Sequence, residues 1–187
     1  MAVKVYIDQG HNPVNPNAGA EGNGYREQDL VYEIGQQLSE ILQANGLETR
    51  LSRPFPDTQL GSSTATSLST RVNDANAWGA DFFISLHTNA SVSPTAAGSE
   101  AYVFRLGSAA SALAEDILLQ LQYATGLPTR GVFAWPTLYV LRRTRMPAVL
   151  VELGFISNPY EASLMAAQPG LFANGIANGI LAYLGML

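Results

Sequence analysis

Apolar and polar positions change period several times along this chain, and each change marks an element. Val3 to Ile7 is an apolar-rich run closed by Asp8-Gln9-Gly10-His11, which predicts a first strand. A glycine- and asparagine-rich loop extends to Tyr25. Leu30, Val31, Ile34, Leu38, Ile41 and Leu42 then recur at helical spacing, and Asn45-Gly46 supplies a stop signal. Leu47 to Leu51 reads as a second strand, and Arg53 to Ser67, rich in Pro, Ser and Thr, as an exposed loop. A helix from about Leu68 to Trp78 leads into Phe82-Phe83-Ile84-Ser85-Leu86, a run suited to a strand buried on both faces. Ala101 to Phe104 gives another strand and Ala109 to Tyr123 another helix. Leu138 to Leu141 is a short strand candidate, and Val149 to Val151 a late strand before a helical C-terminal region.

Strands alternating with helices predict an α/β fold: a single domain over residues 1–187, with a mostly parallel twisted sheet covered by helices on both faces. The length of 187 residues and hydrophobic content of 47% suit one core rather than two. From Leu164 to Leu187 no charged residue occurs, but Gln168, Pro169, Asn174, Asn178 and several glycines interrupt the apolar runs. That stretch reads as a buried terminal helix, without membrane insertion.

The formal net charge of -5 argues against a nucleic-acid partner, which would favour a basic face. The absence of cysteine excludes disulfides, thiolate metal sites and cysteine nucleophiles. Met1-Ala2-Val3-Lys4 lacks the features of a secretory signal. The expectation is therefore an excised or processed domain, or a protein released by lysis or another route, and a monomer.

Both histidines of the chain stand at strand exits: His11 after the first strand and His87 after the strand ending at Leu86. Glu152 follows Val149 to Val151 in the same way. In open α/β sheets the loops beyond the strand carboxyl ends converge on ligand sites. Glu27 lies three, four and seven residues before Leu30, Val31 and Ile34, on the buried stripe of its helix. A carboxylate there needs a partner or a metal; capping the helix is the plainer alternative. Two imidazoles and two carboxylates thus share one rim. Two histidines with one glutamate, and a fourth position open for water, form a catalytic zinc set, and the second glutamate is then free to accept a proton. Asp8 fits a strand-end turn, or an acceptor that orients His11. Gly19 to Gly24 lacks the phosphate-loop lysine and the dinucleotide spacing, and no Gly-x-Ser-x-Gly elbow is present.

These residues resemble the zinc-dependent amidase-3 family of N-acetylmuramoyl-L-alanine amidases. The resemblance rests on Ile7-Asp8-Gln9-Gly10-His11, on Arg26-Glu27-Gln28-Asp29-Leu30, and on Phe83 through Ala90 around His87. It rests most on Met146 through Asn158 around Glu152, with Leu51-Ser52-Arg53, Leu68 through Arg71, and Arg130-Gly131 between them. It spans essentially the whole chain. It implies one Zn2+ per chain held by His11, Glu27 and His87, with Glu152 as the catalytic glutamate. It also implies peptidoglycan as the partner and the cell wall as the place of action. Asn12-Pro13-Val14-Asn15-Pro16 departs from the glycine-richer family loop. The short stretch after Glu100 leaves no room for the autoinhibitory helix of some members. Arg130, Arg142, Arg143 and Asn89 are candidates for substrate binding, with Arg145 beside them; for the arginines a solvated basic edge is the alternative. Two rival functions stay open: a zinc peptidase acting on the stem peptide's own bonds, and a non-catalytic peptidoglycan-binding module.

Overall fold

A computed structural model describes residues 2–187. One six-stranded sheet forms the centre, in the order β4-β1-β5-β8-β6-β7. Its strands are β1 (Lys4–Gln9), β4 (Glu48–Leu51), β5 (Phe82–Asn89), β6 (Ser99–Val103), β7 (Thr129–Ala134) and β8 (Ala148–Phe155). β1 pairs in parallel with β4 and β5, β5 with β8, and β6 with β7; β6 runs antiparallel to β8. A two-stranded hairpin, β2 (Glu21–Gly22) with β3 (Tyr25–Arg26), precedes the helix α1 (Glu27–Ala44). The mostly parallel α/β fold predicted above is the one observed.

Side chains alternate across a strand, and here each face has its own core. Val5 and Ile7, Ile84 and Leu86, Ala101 and Val103, and Val149, Val151 and Leu153 share one cluster. They pack there with residues of α1, α3 (Ala109–Thr125) and α6 (Pro169–Tyr183). Gly175 and Gly179, one turn apart on α6, let it lie directly on α3: a Cβ at Gly179 would come within 2.4 Å of Ile117 Cα. On the other face Tyr6, Phe83 and Leu150 pack with Val72 and Ala75 of α2 (Thr64–Trp78) and with Val140 and Leu141 of α4 (Tyr139–Arg143). The uncharged tail forms the end of α5 (Pro159–Ala167) and all of α6, and among the described residues no helix is long and apolar enough to cross a membrane.

Some expectations need correction. Leu138 to Leu141 is not a strand: Tyr139 onward is helical, and Val140 and Leu141 bury one side of a single turn. A four-residue apolar run cannot distinguish the two states by period. β7 was not predicted, because an edge strand reading Thr-Arg-Gly-Val-Phe-Ala has no apolar alternation. The hairpin in the loop before Tyr25 was also missed. α2 begins at Thr64, capped by Ser63 in a reciprocal capping box with Thr66, so the loop after Arg53 is shorter than expected. Arg53 itself is buried, with Nη1 donating to Gln28 O at 2.9 Å and its guanidinium over the Tyr32 ring. His87 and Glu152 lie within their strands rather than after them, because β5 and β8 run three and four residues beyond the apolar runs.

Candidate metal centre

Continuing the alternation along the second face yields the site. On β5 the residues after Phe83 on that face are Ser85 and His87; on β8 those after Leu150 and on β6 those paired with them are Glu152 and Glu100. The register sets His87 beside Glu152, and Glu152 beside Glu100. β1 contributes Asp8, which is buried and ion-paired with the buried Arg71 of α2 at 2.5 Å, and which accepts from Ser85 Oγ at 2.7 Å. Burial works to raise the Asp8 pKa, but the Arg71 guanidinium overrides it and holds the carboxyl below its usual range. Arg71 also donates to Gln9 O at 2.6 Å and to His11 O. His11 has φ of 65°, a left-handed conformation that a histidine adopts at a cost. The same guanidinium thus braces the end of β1 and the turn that presents His11.

Glu27 opens α1, directly after the hairpin, with its side chain only 4% exposed. Its Oε1 lies 3.2 Å from His11 Nε2 and 3.1 Å from His87 Nδ1, and accepts from Thr88 N at 2.9 Å. Its Oε2 accepts from Ala20 N at 2.9 Å. Burial pushes the Glu27 pKa up, but hydrogen bonds and charge from His11 and His87 more than reverse it, leaving the carboxyl far below its ordinary value. One donor atom from each of His11, Glu27 and His87 falls within 4.8 Å of the other two. Donors around a tetrahedral ion with bonds of about 2.0–2.1 Å lie roughly 3.3–3.4 Å apart. The two contacts to Glu27 are of that size, while the wider separation of the two imidazole nitrogens would have to close for all three to share one ion. Two imidazoles and a carboxylate suit zinc or a neighbouring transition metal better than magnesium or calcium. The two histidine side chains remain 22% and 20% exposed, which leaves the cluster open on one side. A cavity of about 100 Å³ borders it, lined by His11, His87, Asp8, Arg71, Leu138 and Tyr139 among others.

Glu152 differs from the other acidic groups here. Its Oε2 is buried and has no hydrogen-bond partner. Burial, followed by the negative charges of Glu27 and Glu100, pushes its pKa up to about 8. The arginine that a structural pairing would require is bound elsewhere: Arg130 Nε donates to Glu100 Oε2 at 2.6 Å. Asn89 Nδ2 and the Tyr102 hydroxyl each donate to Glu100 Oε1 at 2.7 Å.

The family model described as N-acetylmuramoyl-L-alanine amidase, amidase-3, matches residues 5–182. The chain belongs to the amidase-3 family. It is 36% identical over 183 residues to the N-acetylmuramoyl-L-alanine amidase LytC of Bacillus subtilis (strain 168), covering 96% of this chain and 35% of that protein. It is 35% identical over 183 residues to the sporulation-specific N-acetylmuramoyl-L-alanine amidase of the same organism, covering 95% of this chain and 67% of that one. The chain therefore spans between about a third and two thirds of the length of these relatives. Among solved structures, the catalytic domain of CwlV, an N-acetylmuramoyl-L-alanine amidase from Bacillus (Paenibacillus) polymyxa var. colistinus, superposes with a TM-score of 0.86 at 34% identity, over 99% of each chain. The amidase AmiC2 of Nostoc punctiforme gives 0.85 at 30% identity, over 98% of this chain and 97% of that one.

In this amidase-3 chain the structure brings His11, Glu27 and His87 together and sets Glu152 in register beside His87. Asn89 and Arg130 meet on Glu100. Arg142 and Arg145 stand apart from them, in a cleft with Phe104, Pro147 and Ala148 at the start of β8, and Arg143 closes the last turn of α4. Three residues that organise the site escaped the reading of the residues one by one: Arg71, Glu100 and Tyr102. Of these only Arg71 carried a signal, as the end of a stretch shared with the family.

Proposed function

We propose that this chain is a zinc-dependent peptidoglycan amidase, hydrolysing the amide between the lactyl group of N-acetylmuramic acid and the L-alanine of the stem peptide. The observation that carries the reading is the convergence of His11 Nε2, Glu27 Oε1 and His87 Nδ1, with an unpartnered carboxylate oxygen of Glu152 on the neighbouring strand. The names of its relatives support the bond and the substrate. On this reading the chain acts at the cell wall.

His11, Glu27 and His87 would hold the ion. When bound, zinc supplies a Lewis acid that acidifies water and stabilises negative charge on the amide oxygen. Glu152 then has two tasks. Its carboxylate takes a proton from the attacking water, and the resulting acid delivers that proton to the departing amine nitrogen. A carboxyl whose environment favours the protonated form is suited to the second task, and proximity to a cation to the first. Thr88 N and Ala20 N hold the two oxygens of Glu27 in place, orienting this ligand.

The test combines metal analysis with product identification. Purified peptidoglycan digested by the chain should release intact stem peptides with a free L-alanine amino terminus, identified by mass spectrometry. Glu152→Ala should keep its zinc and lose activity, whereas His11→Ala should lose both. Cleavage within the stem peptide would point to a peptidase, no cleavage at all to a binding module, and full activity in the Glu152 variant would remove its assigned role.

A further inference from the structure

α2 and α4 cover only part of the second face of the sheet. Beyond them, over β6 and β7, three aromatic rings cluster, with Phe133 tilted 38° from Tyr102 and Trp135 edge-on to it at 67°. Tyr102 is opposite Phe133 in the register, and Trp135 continues the ladder through its backbone N–H, which donates to Val103 O at 2.8 Å. The Tyr102 ring centroid is 6.0 Å from that of Phe133 and 5.1 Å from that of Trp135. Phe133 is 43% exposed and Trp135 44%, so two large rings lie half open to solvent where burial would ordinarily stabilise them. The patch is continuous with the candidate centre: the Tyr102 hydroxyl donates to Glu100, and Glu100 pairs in register with Glu152. From Glu100 to Val103, against which Trp135 is held, the strand advances about 10 Å.

We infer that Tyr102, Phe133 and Trp135 form a subsite for a pyranose ring of an N-acetylated hexosamine chain, running from the scissile amide along β6. The link to that amide rests on the amidase reading; the binding itself does not. A pyranose has an apolar C–H face that packs on flat aromatic rings, and a polar edge that hydrogen-bonds. The rings provide the first surface, and the Tyr102 hydroxyl lies beside it. Glu100, which accepts from the Tyr102 hydroxyl, is neutralised by Arg130 at 2.6 Å. At this inner edge of the patch the carboxylates of a stem peptide would meet no unpaired cation, since Arg105, Arg142 and Arg145 line the separate cleft beyond Phe104; a neutral sugar needs none.

The test is calorimetric titration of the chain with chitotetraose, alongside tryptophan emission. Trp78, the other tryptophan, ends α2 with the Lys4 and Arg50 cations over its ring, so Trp78→Phe isolates the Trp135 signal. Trp78→Phe should bind chitotetraose with a change in emission. Trp135→Ala and Phe133→Leu should each weaken binding by about tenfold, the scale of one lost ring contact. Trp135→Phe should retain most of the affinity, and melting temperatures should move little because both positions are half exposed. Absence of binding at millimolar glycan, or unaltered affinity in Trp135→Ala, overturns the subsite, as does a change in Trp135 emission on adding a sugar-free stem tetrapeptide when the glycan gives none. Glycan binding without amide hydrolysis would keep the subsite and remove the amidase reading alone.

Discussion

Glu152→Gln preserves side-chain volume while removing a titratable carboxyl, and the metal-free chain should register the change as a pH-dependent gain in stability. Burial and the charges of Glu27 and Glu100 move the Glu152 pKa from 4.5 in the free side chain to about 8 in the fold. The folded state therefore binds this proton more tightly than the unfolded chain. Its contribution to stability is fully present below pH 4.5 and is lost as pH rises through 8. A span of roughly 3.5 pH units at about 1.36 kcal/mol each sets a ceiling of about 5 kcal/mol. Because Glu152 is not fully enclosed, roughly half of that is the expected size. For a domain of this size 1 kcal/mol moves Tm by about 2–4 °C, so the variant should gain about 5–10 °C over the parent between pH 5 and pH 8.5. Circular-dichroism melts in chelator at several pH values measure it. Saturating zinc should shrink the difference, because a cation beside Glu152 favours its ionised form. A difference that stays flat across pH without metal would refute the unpartnered buried carboxyl; one that zinc leaves untouched would detach Glu152 from the ion.

Two further outcomes follow from the supports of the centre. Arg71→Met leaves the buried Asp8 charge without its partner and should cost about 3–5 kcal/mol in thermal or urea unfolding, with Asp8→Asn in the same chain restoring most of it; no restoration would show that Arg71 acts mainly through His11 O. Gly19→Ala places a Cβ about 2.8 Å from Glu27 Oε2 and 2.9 Å from His11 Cδ2, so zinc affinity by competition with a chromogenic chelator should fall about tenfold or more, and an unaltered affinity would show that the ligands have room to move.

The closeness of the four residues of the candidate centre is legible in the sequence, but for partly different reasons than the fold supplies. Glu27 was legible as a carboxylate on an apolar helical stripe, and that argument stands: its helix turns the side chain inward and its burial is nearly complete. His87 and Glu152 were read as strand exits, when each continues its strand on the second face. The period-2 rule carried the better signal, in Phe83, Ser85, His87 and in Ala148, Leu150, Glu152. Asp8 read as a turn residue because its partner, Arg71, is 63 residues away on a helix with little apolar pattern, where Val72 and Ala75 provide most of the contact. The Glu100–Arg130 pair was hidden likewise: it depends on β7, an edge strand whose polar sequence gave no period to read. Local pattern exposes a side chain's face; it does not name the distant group waiting there.

The reversed direction of β6 explains how two adjacent carboxylates acquire different surroundings. β1, β5 and β8 run in parallel toward the rim and deliver His11, His87 and Glu152 at or near their ends, whereas β6 runs the other way and delivers Glu100 close to its start. Two acidic side chains facing each other across an antiparallel pair repel, and a fold tolerates that only if one of them is neutralised. Arg130, Asn89 and Tyr102 all converge on Glu100 and none on Glu152. The cation that could have fixed Glu152 as a permanent anion is thereby spent one strand away. What is left beside the His-Glu-His cluster is a carboxyl without a fixed partner whose burial pushes its pKa up to about 8, and on the proposed function that suits a group that must accept a proton and return it within one turnover.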